Sequence, residues 1–546
     1  MGLFIRKPFE ALQAEANASG KKTLKRVLGP WSLVALGVGV IIGAGLFSIT
    51  GTVAAGYTGP AITLSFAIAA LGCCFAGLCY AEFASMIPVA GSAYTYSYAT
   101  MGELIAWIIG WDLVLEYTVA ATTVSISWSR YLVVFLEGLD IHLPQALTAC
   151  PWDGGVVNIP AFLIVVLMSL FLIRGTEGSS IFNGFIVFLK VSVILIFVIL
   201  GWKYINTDNY TPHIPANTGI LGEYGFSGIL RGAAIVFFAF LGFDAVSTAA
   251  QETKNPKRNM PIGILVSLLV CTVLYMVFAH VMTGVAHYTA FSGQQGIAPV
   301  AIAIEHMGQA DAAGIIQPDY PWLNRAIVLS ILFGYCSVIM VTLLGQSRVF
   351  LSMSHDGLLP PFFSHINEKF RTPARSNLLF MVLVGLLAAF VPARLAGEMT
   401  SIGTLMAFTL VCAAVLVVRR TMPDVPRSFK TPLVPLIPIL GILTCLCMML
   451  FLPADTWIRL VLWMLIGLDI YVGYGMKHSK LEHGGDTRHG QVTLNMIGLI
   501  LAVLCVITGL WHQQTVGWGE SKVLLIISFV FAFTHCAYYM WRIWRR

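Results

Sequence analysis

The chain has 546 residues, 58% of them hydrophobic and only 11% charged, where an ordinary soluble domain carries roughly 25% charged residues. This composition excludes a water-soluble globular protein and predicts an all-α integral membrane protein. A net charge of +6 would suggest nucleic acid in a soluble chain, so its meaning depends on where the charge sits.

Residues 1–30 form a polar, basic segment carrying Arg6, Lys7, Lys21, Lys22, Lys25 and Arg26. Leu3, Phe4, Phe9 and Leu12 would make the apolar side of a short interfacial helix; a solvated tail is the alternative. Leu3-Phe4-Ile5 is too short for a signal-peptide core. Fourteen apolar spans follow: 31–52, 60–83, 104–134, 158–174, 180–202, 228–250, 261–284, 325–350, 377–392, 401–418, 433–452, 457–475, 492–510 and 523–541. The fourth and ninth are short for a bilayer crossing of about 20 residues, and the third is long enough to tilt or protrude.

With the N-terminus cytoplasmic and every span crossing, 24 of the 32 lysines and arginines fall inside, seven outside, and Lys190 within a span. That excess follows the positive-inside rule. It assigns the basic residues to the cytoplasmic leaflet, with both termini cytoplasmic, and leaves no nucleic-acid partner to explain. Ten of the eleven cysteines lie in apolar spans, where cysteine acts as a small hydrophobe. Cys150 is in a loop without an obvious partner. No metal-ligand spacing, glycine-rich phosphate loop or strand pattern occurs, so no metal, cofactor or enzymatic activity is expected.

Span 1 contains Gly37, Gly39, Gly43 and Gly45 within nine residues. Each glycine in a helix interior costs about 1 kcal/mol relative to alanine, and backbone groups freed in lipid need protein, a cavity or a ligand to satisfy them. Gly43-Ala44-Gly45 therefore reads as a helix break whose N–H groups hold an anion, or else as a small-residue packing seam. Span 6, Phe237-Phe238-Ala239-Phe240-Leu241-Gly242-Phe243-Asp244, is also glycine-interrupted. It stands five spans later, so the second unit enters the membrane upside down. Paired broken helices in two inverted halves point to a transporter's midplane site, and this pairing favours the break.

Lys190 sits mid-span in Phe188-Leu189-Lys190-Val191, at a cost of about 2.5–3.5 kcal/mol if charged at the bilayer centre; a functional role outweighs snorkelling there. Asp112 and Glu116 are four apart on one helix face. Glu116, the deeper, would face a substrate amine or bind a proton, while Asp112 is as readily a cap or interface residue. Asp244 would cap or polarise the span 6 break, and Asp469 reads as a structural inter-helix contact.

Longer stretches carry a family resemblance. They are Leu24-Lys25-Arg26-Val27-Leu28-Gly29-Pro30 leading into span 1, Phe237 to Gly263, and Gln346-Ser347-Arg348 through Ser354-His355-Asp356-Gly357 to Thr372-Pro373. Val434-Pro435-Leu436-Ile437-Pro438 and Thr456 to Gly475 complete the set. From about residue 6 to 480 the chain resembles the amino acid–polyamine–organocation superfamily and, within it, the cationic amino acid transporter family.

The resemblance implies two inverted five-helix repeats (31–203 and 228–418) with discontinuous helices 1 and 6. Four further helices (433–541) and a cytoplasmic C-terminus (542–546) would follow, in a plasma-membrane or bacterial inner-membrane protein. It implies that Ile41, Gly43, Ala44 and Gly45 meet a substrate carboxylate, that the amine meets carbonyls near Phe238, Ala239 and Leu241, and that Glu116 faces the site. Lys190 matches a lysine that places an ammonium where other members bind sodium. Many relatives carry serine or threonine at the Ala44 position, so a hydroxyl contact is missing here. The expected function is proton-coupled symport of a cationic or neutral L-amino acid by alternating access. The alternatives are an exchanger or facilitator, or a non-transporting sensor; oligomeric state and accessory subunits stay open.

Overall fold

The structure, a computed structural model, describes residues 2–17, 26–43, 45–89, 91–292, 299–310, 316–481, 487–516 and 518–544. Its long helices, in chain order, are α1 (Pro30–Ile41), α2 (Ile62–Met86), α3 (Glu103–Glu137), α4 (Ile159–Arg174) and α5 (Thr176–Gly201). After a loop come α6 (Gly225–Val236), α7 (Pro256–Val285), α8 (Pro321–His355), α9 (Ala374–Phe390) and α10 (Ala393–Thr421). The last four are α11 (Leu436–Leu450), α12 (Ala454–Ile470), α13 (Thr487–Val516) and α14 (Trp518–Trp544). Among the described residues nine helical stretches are long and apolar enough to cross a membrane, and three shorter apolar helices accompany them. The architecture is that of a mostly helical membrane protein.

Helix lengths follow the apolar patterning. α4 and α9 stay short, at 16 and 17 residues, or about 25 Å at 1.5 Å per residue. α3 runs for 35 residues, about 50 Å, well beyond a hydrocarbon core of about 30 Å. On α5 one face buries Asn183, Lys190, Ile194 and Phe197, while Phe185, Phe188 and Ile199 are largely exposed. Bare phenylalanine and isoleucine are expected where the neighbour is lipid rather than water.

Central packing joins α3 to α8 and α10, α7 to α1 and α2, and α5 to α1 and α8. α13 and α14 pack on each other and reach the rest chiefly through α12. There Asp469 accepts from Tyr539 (2.6 Å) and pairs with His535 (2.8 Å), an inter-helix contact.

Two features depart from the sequence reading. A short antiparallel hairpin pairs Gly308–Ala310 with Ile316–Pro318, where no strand pattern was evident, because three residues a side are too few to show alternation. Over its described residues 2–17 the N-terminal segment is partly docked on the bundle rather than wholly solvated. Leu3 and Leu12 are buried while Phe4 stays about half exposed. Lys7 Nζ bonds Asp356 Oδ1 (2.7 Å) and Glu15 Oε2 (2.8 Å), and Lys7 N donates to Tyr98 O. The segment straps the bundle end at which α1 begins. Two ion pairs close the same end: Arg348 with Glu252 (2.5 Å), fully buried, and Arg419 with Glu82 (2.9 Å), partly buried.

Candidate functional site

Helix α1 stops at Ile41; Ile42 is extended (φ −75°, ψ 97°) and the chain resumes as a π-helical turn over Gly45–Ile49. Ala44 lies outside the described residues. Leu46 and Phe47 donate back to Gly43 O, both at 3.2 Å. No acceptor for the Gly43 or Gly45 N–H is found among the described residues. Helix α6 stops at Val236, tightens into a 3₁₀ turn over Phe237–Phe240, and turns through extended Leu241 and left-handed Gly242 (φ 107°) into the short helix Phe243–Thr248. Asp244 Oδ1 accepts the Gly242 N–H (3.2 Å) and Oδ2 accepts the Tyr117 hydroxyl (2.6 Å), anchoring this break to α3.

The two breaks pack directly on each other through glycines. A Cβ on Gly45 would lie 2.5 Å from Ala239 Cβ, and one on Gly242 would lie 2.5 Å from Val40 Cγ1; real Cβ atoms do not approach so closely. The Tyr275 hydroxyl of α7 sits 2.5 Å from Ile41 O and 2.8 Å from Ala239 O, bridging the last carbonyl of α1 and a carbonyl of the α6 break.

Between the breaks, α3 and α8 lies a cavity of about 20 Å³ lined by Val40, Ile41, Gly43, Gly45, Glu116, Tyr117, Ala120, Val124, Phe238, Leu241, Gly242, Val338 and Thr342. That is room for about one water, so loading anything larger requires the walls to part. The lining combines exposed backbone, aliphatic walls and one carboxylate. Glu116 is 3% exposed. It is hydrogen-bonded by Thr404 of α10, and its Oε2 has no partner among the described residues.

Lys190 is fully buried. Its Nζ donates to Gly39 O (2.6 Å) and Ile42 O (2.7 Å) at the end of α1, and reaches Gly334 O of α8 at 3.4 Å. No carboxylate pairs with it among the described residues; the α1 break offers carbonyl dipoles instead. Asn183, two turns earlier on α5, donates to Ala35 O (3.1 Å) and accepts from the Ser337 hydroxyl of α8.

A family model described as amino acid permease matches residues 28–468. The chain belongs to the amino acid permease family, within the amino acid–polyamine–organocation superfamily. The permease is 46% identical over 473 residues to the branched-chain amino acid permease BcaP of Bacillus subtilis, covering 86% of this chain and 97% of that protein. It is 41% identical to the methylthioribose transporter of the same organism, over 88% and 99% of the two chains. It is 36% identical to the vacuolar cationic amino acid transporter 4 of Arabidopsis thaliana, over 75% and 66%. This family is one of transporters, not enzymes.

The permease gathers Ile41, Gly43, Gly45, Glu116, Phe238 and Leu241 around one cavity and sets Ala239 against Gly45. Lys190 and Asp244 stand outside that lining, each holding one break. The Phe238 and Ala239 carbonyls already accept from Leu241 N and the Tyr275 hydroxyl, and Leu241 O accepts no protein donor among the described residues. Tyr117, Tyr275 and Thr404 escaped the sequence reading, because a tyrosine or threonine in a span looks like ordinary filler until the fold shows its hydroxyl partner.

Proposed function

We propose that the permease is a proton-coupled symporter of neutral aliphatic L-amino acids, working by alternating access around the two helix breaks. One observation carries this reading: two broken helices meet at a cavity lined by their own backbone and by mostly aliphatic side walls, with Glu116 as its one carboxylate. N–H groups of Gly43 and Gly45 beside the unwound turn suit an α-carboxylate, with the Ala44 N–H as a third expected donor. Carbonyls of the α6 break, Leu241 O foremost, suit an α-amine. Val40, Ile41, Ala120, Val124 and Val338 suit an aliphatic side chain. The 46% identity to a branched-chain amino acid permease supports the same substrate class.

In this reading the fourteen helices are fourteen crossings. The first ten form two inverted five-helix repeats and the last four are additions, with both termini cytoplasmic in a plasma or bacterial inner membrane. Lys190 supplies the coupling: its ammonium ties α5 to the α1 break, and loss of its proton would release that tie. Glu116 Oε2 supports a second reading, in which an unpaired carboxylate beside the cavity takes a cationic side chain.

The test is uptake of labelled amino acids into proteoliposomes with and without an inward proton gradient. Gradient-stimulated leucine, isoleucine and valine uptake is expected. Preference for arginine or lysine would overturn the substrate class. Uptake indifferent to the gradient would overturn the coupling, and saturable binding without uptake would leave a sensor.

A further inference from the structure

We propose that Asp112 is the second station of a two-carboxylate proton site on α3, exchanging the coupled proton with Glu116 at the substrate cavity. The proposal rests on the proton-coupled reading above, with Lys190 holding the α1 break and the α3 pair holding the proton that moves with substrate. Asp112 lies in the third turn of α3 and is fully buried, and neither carboxylate oxygen has a hydrogen-bond partner among the described residues. It is neither a helix cap nor one half of an ion pair. Glu116 stands one turn further along the same face, with its Oε2 also unpartnered.

Two buried carboxylates without a cation would be a heavy burden as two charges. A single proton shared between them removes one charge and gives one oxygen a hydrogen to donate. At i, i+4 spacing the Cβ atoms are about 5–6 Å apart, within reach of each other directly or through one water. The transfer balances: Glu116 gives up its carboxyl proton and becomes a carboxylate as the Asp112 carboxylate becomes the acid, and the pair's total charge is unchanged.

Packing holds the pair in register. Trp111 stacks on Trp463 of α12 (4.5 Å between centroids) and donates to Trp463 O (2.9 Å), while Trp107 donates to Gly467 O. These bonds lock the neighbouring face of α3. On the carboxylate face α10 presents Gly403 and Thr404. A Cβ on Gly403 would stand 2.7 Å from Asp112 Oδ1 and 3.2 Å from Oδ2, so any side chain there would push the carboxylate aside, and Thr404 bonds Glu116. The other titratable groups around the pair are Tyr80 of α2, Tyr96 of the short helix Ala93–Thr100, Tyr117 of α3 and Asp244 beyond the α6 break. The Tyr80 hydroxyl is itself unpartnered among the described residues, and that of Tyr96 meets Ser247. No lysine, arginine or histidine pairs with either carboxylate among the described residues.

The experiment compares wild type, Asp112→Asn and Asp112→Glu as full chains in proteoliposomes. It reads leucine accumulation driven by a proton gradient, leucine counterflow (which needs no net proton movement), and proton entry by an internal pH dye. Asp112→Asn is expected to lose gradient-driven accumulation and leucine-dependent proton entry while keeping counterflow. Asp112→Glu is expected to restore both. Gradient-driven accumulation retained in Asp112→Asn overturns the proposal, and so does equal loss of counterflow and accumulation, which makes Asp112 a packing residue. A wild type that ignores the gradient fails the coupled reading itself, an outcome visible before any variant is compared.

Discussion

The Tyr275 hydroxyl offers the sharpest test of whether the two helix breaks act as one site. Tyr275→Phe keeps the ring and its packing against Phe66 and Phe240, with centroids at 5.4 and 5.2 Å, and removes only the oxygen that bridges Ile41 O and Ala239 O. A hydroxyl has one proton and donates to one of these carbonyls at a time, so the variant loses the equivalent of one buried bond and strands both acceptors. Such a loss costs about 1–3 kcal/mol, which in a coupled equilibrium corresponds to about 5–150-fold. The half-saturation concentration for leucine uptake is expected to rise within that range, and the unfolding temperature of the purified protein to fall. Tyr131→Phe is the control. It removes a bond to Phe47 O (2.6 Å), beyond the break and away from the α6 break, and is expected to disturb half-saturation less. If Tyr275→Phe leaves both half-saturation and unfolding temperature unchanged, the bridge contributes nothing and the breaks are held by packing alone.

Three further outcomes are expected. Lys190→Ala removes the donor to Gly39 O and Ile42 O and should abolish gradient-driven uptake; uptake that still follows the pH gradient removes Lys190 from the coupling. Gly45→Ala forces a methyl against Ala239; overpacking of this kind costs about 1–3 kcal/mol, read as weaker binding in a scintillation proximity assay with labelled leucine, and unaltered binding would mean the two breaks separate freely. Glu252→Gln leaves the guanidinium of Arg348, 1% exposed, without its counter-ion, and the loss of about 3–5 kcal/mol should appear as a lower unfolding temperature that Arg348→Leu in the same chain partly restores.

The sequence reading reached the helix breaks because glycine in lipid has a cost that needs a reason, and it reached Lys190 because a mid-span ammonium has one too. It did not reach the partners. Nothing in Phe188-Leu189-Lys190-Val191 specifies that the ammonium meets Gly39 O and Ile42 O, 151 and 148 residues away. Asp112 shows the same limit. Its spacing from Glu116 was visible, yet a cap and an interior residue look alike until α10 is laid against the helix and Gly403 is seen to give the carboxylate its space. The docking of the N-terminal strap was not legible for a related reason. Leu3 and Leu12 find a protein surface rather than a bilayer, and only the docking of Lys7 on Asp356 decides between the two.

The sequence by itself determined the membrane class, the placement of the helices and the two glycine-weakened points, because hydropathy and glycine cost are local properties read residue by residue. The tertiary structure decided that those two points touch, that Tyr275 joins them, and that Lys190 and Asp244 each hold one of them in place. The reason is geometric: burying a backbone carbonyl or a carboxylate requires a partner or a space within about 3 Å, and which distant residue supplies it is settled only when the helices pack.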